Sequence, residues 1–173
     1  MRPKGLLVVL SFTAFACVIA WNLWPDTPLS TGTIADLVVV HKAARRLELF
    51  RGNELLKTYT VSVGRHPIGT KTQQGDGRTP EGEYRLDYRN PGSSFHKALH
   101  ISYPELADIE SARSRGVDAG GLVMVHGMRN GLGWLGRLHR AIDWTDGCVA
   151  VTNGEIDEIW RIVPDGTKII LKP

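Results

Sequence analysis

Cysteine is scarce in this chain of 173 residues, which contains only Cys17 and Cys148. Cys17 lies inside an apolar N-terminal segment. If that segment sends the rest of the chain across a membrane, Cys148 is a lone thiol in a compartment that favours disulfides. An unpaired thiol in such a place indicates either chemistry or intermolecular pairing.

The chain also lacks a large excess of positive or negative charge. The formal net charge is +3, but Arg2 and Lys4 precede the apolar segment, and without them 19 basic residues face 18 acidic ones. A surplus of one positive charge is too small to indicate a nucleic-acid-binding surface, so no nucleic-acid partner is predicted. A composition of 42% hydrophobic and 23% charged residues is typical of a globular domain and excludes disorder or a fibre.

Motifs for cofactors and metals are missing as well. The sequence has no P-loop and no zinc-ligand spacing, so neither a nucleotide nor a metal cofactor is predicted. His96 and His100 are four residues apart, but the region around them has the pattern of a strand. No acidic or cysteine ligand accompanies them, so they are not interpreted as a metal pair.

Residues 5–24 form an uncharged apolar run of about the length that spans a bilayer as a helix. Arg2 and Lys4 in front of it predict a cytoplasmic N-terminus, with the rest of the chain on the periplasmic side of the inner membrane. Cleavage after Ala14-Phe15-Ala16 is the alternative and would release a secreted protein. Because apolarity continues to Trp24, we expect an uncleaved signal anchor over residues 1–24.

The remaining chain divides into a linker and one domain. Residues 25–35 are rich in Pro, Thr, Ser and Gly and are predicted to form the linker, and 36–173 the domain. Short β-branched runs separated by Gly-rich turns predict strands, and two helices are predicted at 104–115 and 153–163. The predicted fold is therefore a mainly β, largely antiparallel sandwich or barrel with short peripheral helices.

A base for the Cys148 thiol is the next requirement, because cysteine nucleophiles act as thiolates. Of the six histidines, His126 ends a predicted strand and is followed at once by Gly127. Gly147 precedes the thiol and permits a tight turn, in which the amides of Gly147 and Cys148 could form an oxyanion hole. Spacing alone leaves the pairing of Cys148 with His126 open.

Three motifs together resemble the L,D-transpeptidase catalytic domain, the YkuD-like family, over about residues 36–171. They are His126-Gly127, Thr145-Asp146-Gly147-Cys148, and the upstream run Arg78-Thr79-Pro80-Glu81-Gly82-Glu83-Tyr84. The resemblance implies a mainly β sandwich-like fold and an attack by Cys148 on peptidoglycan peptide stems. It also implies that His126 is the general base and acid, and that no cofactor takes part.

The sequence departs from the usual family motif in three ways. Asp146 stands where the family usually has a histidine, Ala150 stands where it has an arginine, and the segment from Gly131 to Arg140 is extra. These changes put one substrate-carboxylate contact in doubt, and His139 in the extra segment is a candidate replacement for the missing histidine. The predicted substrate contacts are Tyr103, Gly127, His139, Trp144, Thr145 and Asp146.

The implied reaction is formation of 3-3 cross-links from tetrapeptide stems, or attachment of another amine partner such as a wall-linked protein. A hydrolytic relative would use water as the acceptor, as an L,D-carboxypeptidase or as an amidase that releases wall-linked proteins. A non-catalytic wall-binding module is the third alternative. The presence of both Cys148 and His126 argues against it, since a binding module needs neither.

Overall fold

The computed structural model describes Thr13, residues 16–22 and residues 26–173. Residues 16–22 are helical. Within these described parts of the chain, no helix has both the length and the apolarity needed to cross a membrane. Most of the predicted anchor, residues 5–24, lies outside the described residues.

Eight strands form one mixed sheet in the order β3-β2-β1-β8-β4-β5-β6-β7. Their bounds are β1 Leu37–His41, β2 Arg46–Arg51, β3 Glu54–Thr60, β4 Gly82–Asn90, β5 Ala98–Ile101, β6 Met124–His126, β7 Val149–Ala150 and β8 Thr167–Lys172. Most neighbouring strands are antiparallel, and only the pairs β1–β8 and β6–β7 are parallel. The prediction of a mainly β domain with few helices is confirmed.

The two ends of this sheet meet. Ser62, just beyond β3, exchanges two main-chain hydrogen bonds with Ala150 of β7, with N–O distances of 3.0 and 2.8 Å. Three residues after Ser62, the Arg65 N–H donates to the Thr145 carbonyl at 2.9 Å. The short strand β7 is therefore hydrogen-bonded on both of its edges, which fixes the position of the backbone directly after Cys148.

Within residues 26–173, two α-helices accompany the sheet, α1 at Leu106–Ser114 and α2 at Asn153–Ile162. Gly133–Ala141 forms two 3-10 turns separated by a kink at Gly136, whose φ is +47°. Helix α2 follows from its sequence, because its apolar residues recur at helical spacing. Thr152 caps its start in a reciprocal capping box with Glu155. The buried face of α2 carries Ile156, Ile159 and Ile162 into the core of the sheet.

The described part of the predicted linker is packed on the domain. Ala35 is fully buried, and Leu29 packs against the core. Lys57 Nζ donates to the Thr27 carbonyl at 2.8 Å, and the Leu29 N–H donates to the Glu158 carboxylate. The division at residue 36 stays a prediction, but residues 26–35 are held close to the sheet.

A buried lysine fixes the long loop between β3 and β4. Lys42 is only 1% exposed, and its Nζ donates to the carbonyls of Gly69 and Thr79 at 2.6 and 2.9 Å. It also forms an ion pair with Glu81 at 2.7 Å. All three donors of the ammonium group are thus used, and the loop that borders the candidate site is held at Gly69 and near its C-terminal end.

We expect Lys42→Met to destabilise the protein strongly. Removing one partner of a buried ion pair leaves the other without compensation and typically costs about 3–5 kcal/mol of unfolding free energy. Urea unfolding of the full chain in mild detergent measures this loss. Lys168→Met is the matched control, because its pair with Glu83 is largely exposed and is worth about 0–1 kcal/mol. Equal losses for the two variants would contradict the role of Lys42.

Candidate active site

Adjacent parallel strands bring Cys148 and His126 to one face of the sheet. In their register Val125 pairs with Val149, and His126 with Ala150. Cys148 is two residues before Ala150, so its side chain points to the same side as that of His126. Both residues line a cavity of about 830 Å³. This cavity is the candidate active-site cleft.

The imidazole of His126 is buried and held by its own neighbour. Its Nδ1–H donates to the Gly127 carbonyl at 2.6 Å, so Nε2 is left as the proton acceptor. The ring lies 4.6 Å from that of Phe95 and 5.8 Å, edge-on, from that of Trp144. Burial lowers the pKa of His126, although the bond to Gly127 opposes this shift. His126 is therefore a neutral base at neutral pH.

The thiol of Cys148 is protonated in the same conditions. Its Sγ donates to the Leu122 carbonyl at 3.7 Å. Burial raises the pKa of Cys148, and the Met124 backbone and the charge of Lys71 act in the opposite direction. A neutral thiol and a neutral imidazole that line the same cleft favour proton transfer during attack over a preformed ion pair.

This arrangement predicts a characteristic pH dependence of alkylation. With its pKa raised, Cys148 forms thiolate only as the pH increases past the ordinary thiol value of about 8.5. In a Cys17→Ala chain, its rate with iodoacetamide should therefore keep increasing at pH values where glutathione already reacts at its maximum. Mass spectrometry of the alkylated chain gives the rate. A plateau at acidic pH would instead show a thiolate–imidazolium pair.

The turn before the thiol depends on Gly147. Its φ is +133°, and a Cβ there would lie 2.6 Å from the Arg78 carbonyl oxygen. The upstream motif that contains Arg78 and the motif that contains Cys148 thus meet at this contact. Thr145 Oγ1 closes the turn by donating to the Cys148 carbonyl at 2.7 Å and accepting from the Gly147 N–H at 3.2 Å. Use of the Gly147 amide in an oxyanion hole, which stays a prediction, requires that second bond to open.

Gly127 is needed for packing as well as for its carbonyl. A Cβ at this position would lie 2.8 Å from Asn153 Oδ1 and 3.0 Å from Ile156 Cγ2, both on α2. The helix therefore presses directly on the backbone that orients His126. Gly127 therefore influences the site indirectly, by positioning His126.

The extra segment forms one wall of the cleft, and residues 131–142 are called the rim segment below. Its residue His139 is buried, and its Nδ1 lies 3.2 Å from Ser62 Oγ and accepts from Trp144 Nε1 at 3.4 Å. Burial, with smaller contributions from Arg140 and His126, lowers the pKa of His139 to about 4. Among the described residues, its buried Nε2 has no hydrogen-bond partner.

The remaining predicted contacts lie in different places. Trp144, Thr145 and Asp146 all line the cleft. The Asp146 carboxylate is exposed and pairs with Arg65 at the entrance. Tyr103 does not line the cleft but is buried in the core, where its hydroxyl donates to the Ala119 carbonyl at 3.0 Å. Its ring is packed in the core and its hydroxyl is hydrogen-bonded, so Tyr103 is a packing residue.

Two contributors were not predicted from the sequence. Leu122 adopts a positive φ of 55°, is 71% exposed, and supplies the carbonyl that the thiol contacts. Strained backbone of this kind tends to occur at functional sites. Phe95, the second, packs on His126 from the loop before β5. The Gly120-Gly121 pair before Leu122 was the one signal in the sequence for an unusual backbone there.

The family follows from comparison of the sequence with known proteins. The model of the YkuD family, the L,D-transpeptidase catalytic domain, matches residues 35–171. This chain belongs to that family. The Escherichia coli K12 protein YafK, provisionally named an L,D-transpeptidase, is 30% identical over 132 residues, which are 73% of this chain and 46% of YafK. The chain thus spans about half the length of this curated relative.

Solved structures share the fold at low sequence identity. Pgp2 of Campylobacter jejuni, described as a helical cell shape determining protein, superposes with a TM-score of 0.60 at 20% identity. That match covers 90% of this chain and 54% of Pgp2. The L,D-transpeptidase from Mycobacterium smegmatis gives a TM-score of 0.52 at 16% identity, over 80% of this chain and 59% of that protein. These likenesses concern the fold alone.

Proposed function

We propose that the protein is a peptidoglycan L,D-transpeptidase that acts through an acyl-enzyme on Cys148. The observation that carries this proposal is that the Cys148 thiol and the His126 imidazole line one cleft, with the imidazole Nδ1–H donating to the Gly127 carbonyl. His126 Nε2 is thereby an acceptor, which is the role a general base needs. Membership of the family supplies the reaction class.

In the proposed reaction the donor is a tetrapeptide stem. His126 Nε2 takes the Sγ proton while sulfur attacks the carbonyl at the L-centre of diaminopimelate. The tetrahedral intermediate collapses to a thioester, and terminal D-Ala leaves with the proton that His126 returns. An acceptor amine then attacks the thioester, and Cys148 leaves as the thiol. The product is a 3-3 cross-link, or a stem joined to another amine partner such as a wall-linked protein.

The residues in the walls of the cleft are assigned to substrate recognition. Arg129 is the one Lys or Arg side chain among the lining residues that the structure describes, and Ala150 stands where the family usually has an arginine. Arg129 is therefore the candidate partner for a stem carboxylate. Phe95 and Trp144 provide an apolar wall beside the reacting atoms.

The proposed location is the periplasmic face of the inner membrane. The uncharged run 5–24, preceded by Arg2 and Lys4, supports an anchor, and the proposed substrate lies outside the cytoplasm. There the protein would serve peptidoglycan biosynthesis, cell wall organisation and cell shape.

Incubation of the full chain in detergent with tetrapeptide muropeptides, with and without an added amine acceptor, tests the proposal. Mass spectrometry should detect dimers or amine adducts with loss of D-Ala. Tripeptides alone, even with acceptor present, would identify a hydrolase and overturn the transpeptidase assignment. Binding without any product would identify a wall-binding module.

A further inference from the structure

The rim segment has two faces of similar character. Leu135, Leu138 and Ile142 line the cleft on its inner face, while Trp134, which does not line the cleft, is 67% exposed on the outer face. The rim segment carries no acidic residue. Large apolar side chains grouped on a surface mark sites that bind a partner or a membrane.

The end of the apolar N-terminal run is attached to this segment. Asn22 Nδ2 donates to the Trp134 carbonyl at 3.3 Å, and the Leu138 N–H donates to Asn22 Oδ1 at 3.2 Å. The Arg137 guanidinium donates to the Trp21 carbonyl at 2.9 Å and lies 5.8 Å from the centre of the Trp21 ring. Arg137 also forms an ion pair with Asp26. The contacts join the helical residues and the rim segment side by side.

The helical residues themselves are not covered by the domain. Residues 16–21 are all exposed, although every one of them is apolar. Trp21, at the end of this helix, is 52% exposed. An exposed apolar helix followed by tryptophan is the pattern of a segment that leaves a bilayer at its interface, where indole rings are enriched.

We propose that the rim segment rests on the lipid surface of the membrane, with Trp134 inserted at the interface beside Trp21. The cleft then opens at the bilayer surface, with one wall supported by lipid. A lipid surface fits better than a protein partner, because the exposed face continues directly into the uncharged run 5–24. The proposal rests on the membrane anchoring proposed above and is independent of the chemistry at Cys148.

Environment-sensitive labels on the full chain test this contact. In a Cys17→Ser, Cys148→Ser background, W134C is labelled with nitrobenzoxadiazole and placed in nanodiscs that contain brominated lipids. Leu106→Cys is the control, because Leu106 is 76% exposed and does not line the cleft. The label at 134 should shift to the blue and lose most of its emission, whereas the label at 106 should do neither.

Two further variants keep the test decisive. N22A with R137Q removes the attachment and should reduce the quenching at 134. Trp134→Phe, without any label, should lose a component of tryptophan emission that brominated lipid quenches in the otherwise unmodified chain. A blue-shifted label at 134 that lipid does not quench would mean protein cover and overturn the proposal, as would equal quenching at 134 and 106. Turnover of soluble muropeptides would then still stand.

Discussion

Cys148→Ala should abolish muropeptide turnover. The proposed thioester requires a sulfur nucleophile, and among the described residues Cys148 is the one cysteine that lines the cleft. The Thr145 hydroxyl, which also lines the cleft, is engaged with the Cys148 carbonyl and does not replace it. Loss of the nucleophile removes the covalent pathway entirely, so activity should fall to the detection limit.

The second cysteine of the chain provides the matched control. Cys17→Ala should turn over tetrapeptides at the unmodified rate, because Cys17 is exposed in the N-terminal helix and does not line the cleft. Intact-mass measurement during turnover should show an acyl adduct on the Cys17→Ala chain and none on Cys148→Ala. Residual turnover in Cys148→Ala would remove Cys148 as the nucleophile.

His126→Ala should slow turnover by about 10²–10⁴-fold, the usual contribution of a general base. The raised pKa of Cys148 makes this loss large, because the neutral thiol needs a base at the moment of attack. The deficit should shrink as the pH increases, since hydroxide then supplies the thiolate. Rates measured from neutral to alkaline pH reveal this trend.

Removal of a ring packed on Phe95 and Trp144 can also disturb the cleft, so two controls accompany this variant. His126→Gln retains more of the volume and should be slowed to a similar degree. Its thiol should still be alkylated at alkaline pH at nearly the unmodified rate, which shows that the cleft is intact. His100→Ala, whose ring bonds Asp87 and does not line the cleft, should keep normal turnover. A His126→Gln chain of normal activity would exclude His126 as the base.

The sequence was sufficient for the parts of the molecule that depend on local pattern. Helix α2 follows from its apolar spacing and its Thr152 cap, and most strands follow from short β-branched runs. The position of His126 at a strand end, together with the motifs around Cys148, predicted where the site would lie. The assignment of His126 as the base for Cys148 rests on the resemblance, since spacing left it open, and it stays a prediction.

Features that depend on contacts distant in sequence were not accessible in this way. A single Lys42 in a sequence gives no sign that three partners from a distant loop will surround it. The positive φ of Leu122 and the 3-10 form of the rim segment are likewise imposed by tertiary packing. Tyr103 was predicted at the cleft, but its side chain is buried in the core and its hydroxyl donates to the Ala119 carbonyl.

The double bonding of β7, to β6 on one side and to Ser62 on the other, restricts how a peptide can reach the thiol. Neither edge of this strand can take up an incoming chain by strand addition, the mode in which an extended peptide pairs its main chain with a sheet. The proposed stem substrate would therefore approach across the face of the sheet and be recognised through side chains. Stereocentres of D configuration, which fit poorly into a β ladder of L residues, carry no penalty in such an approach.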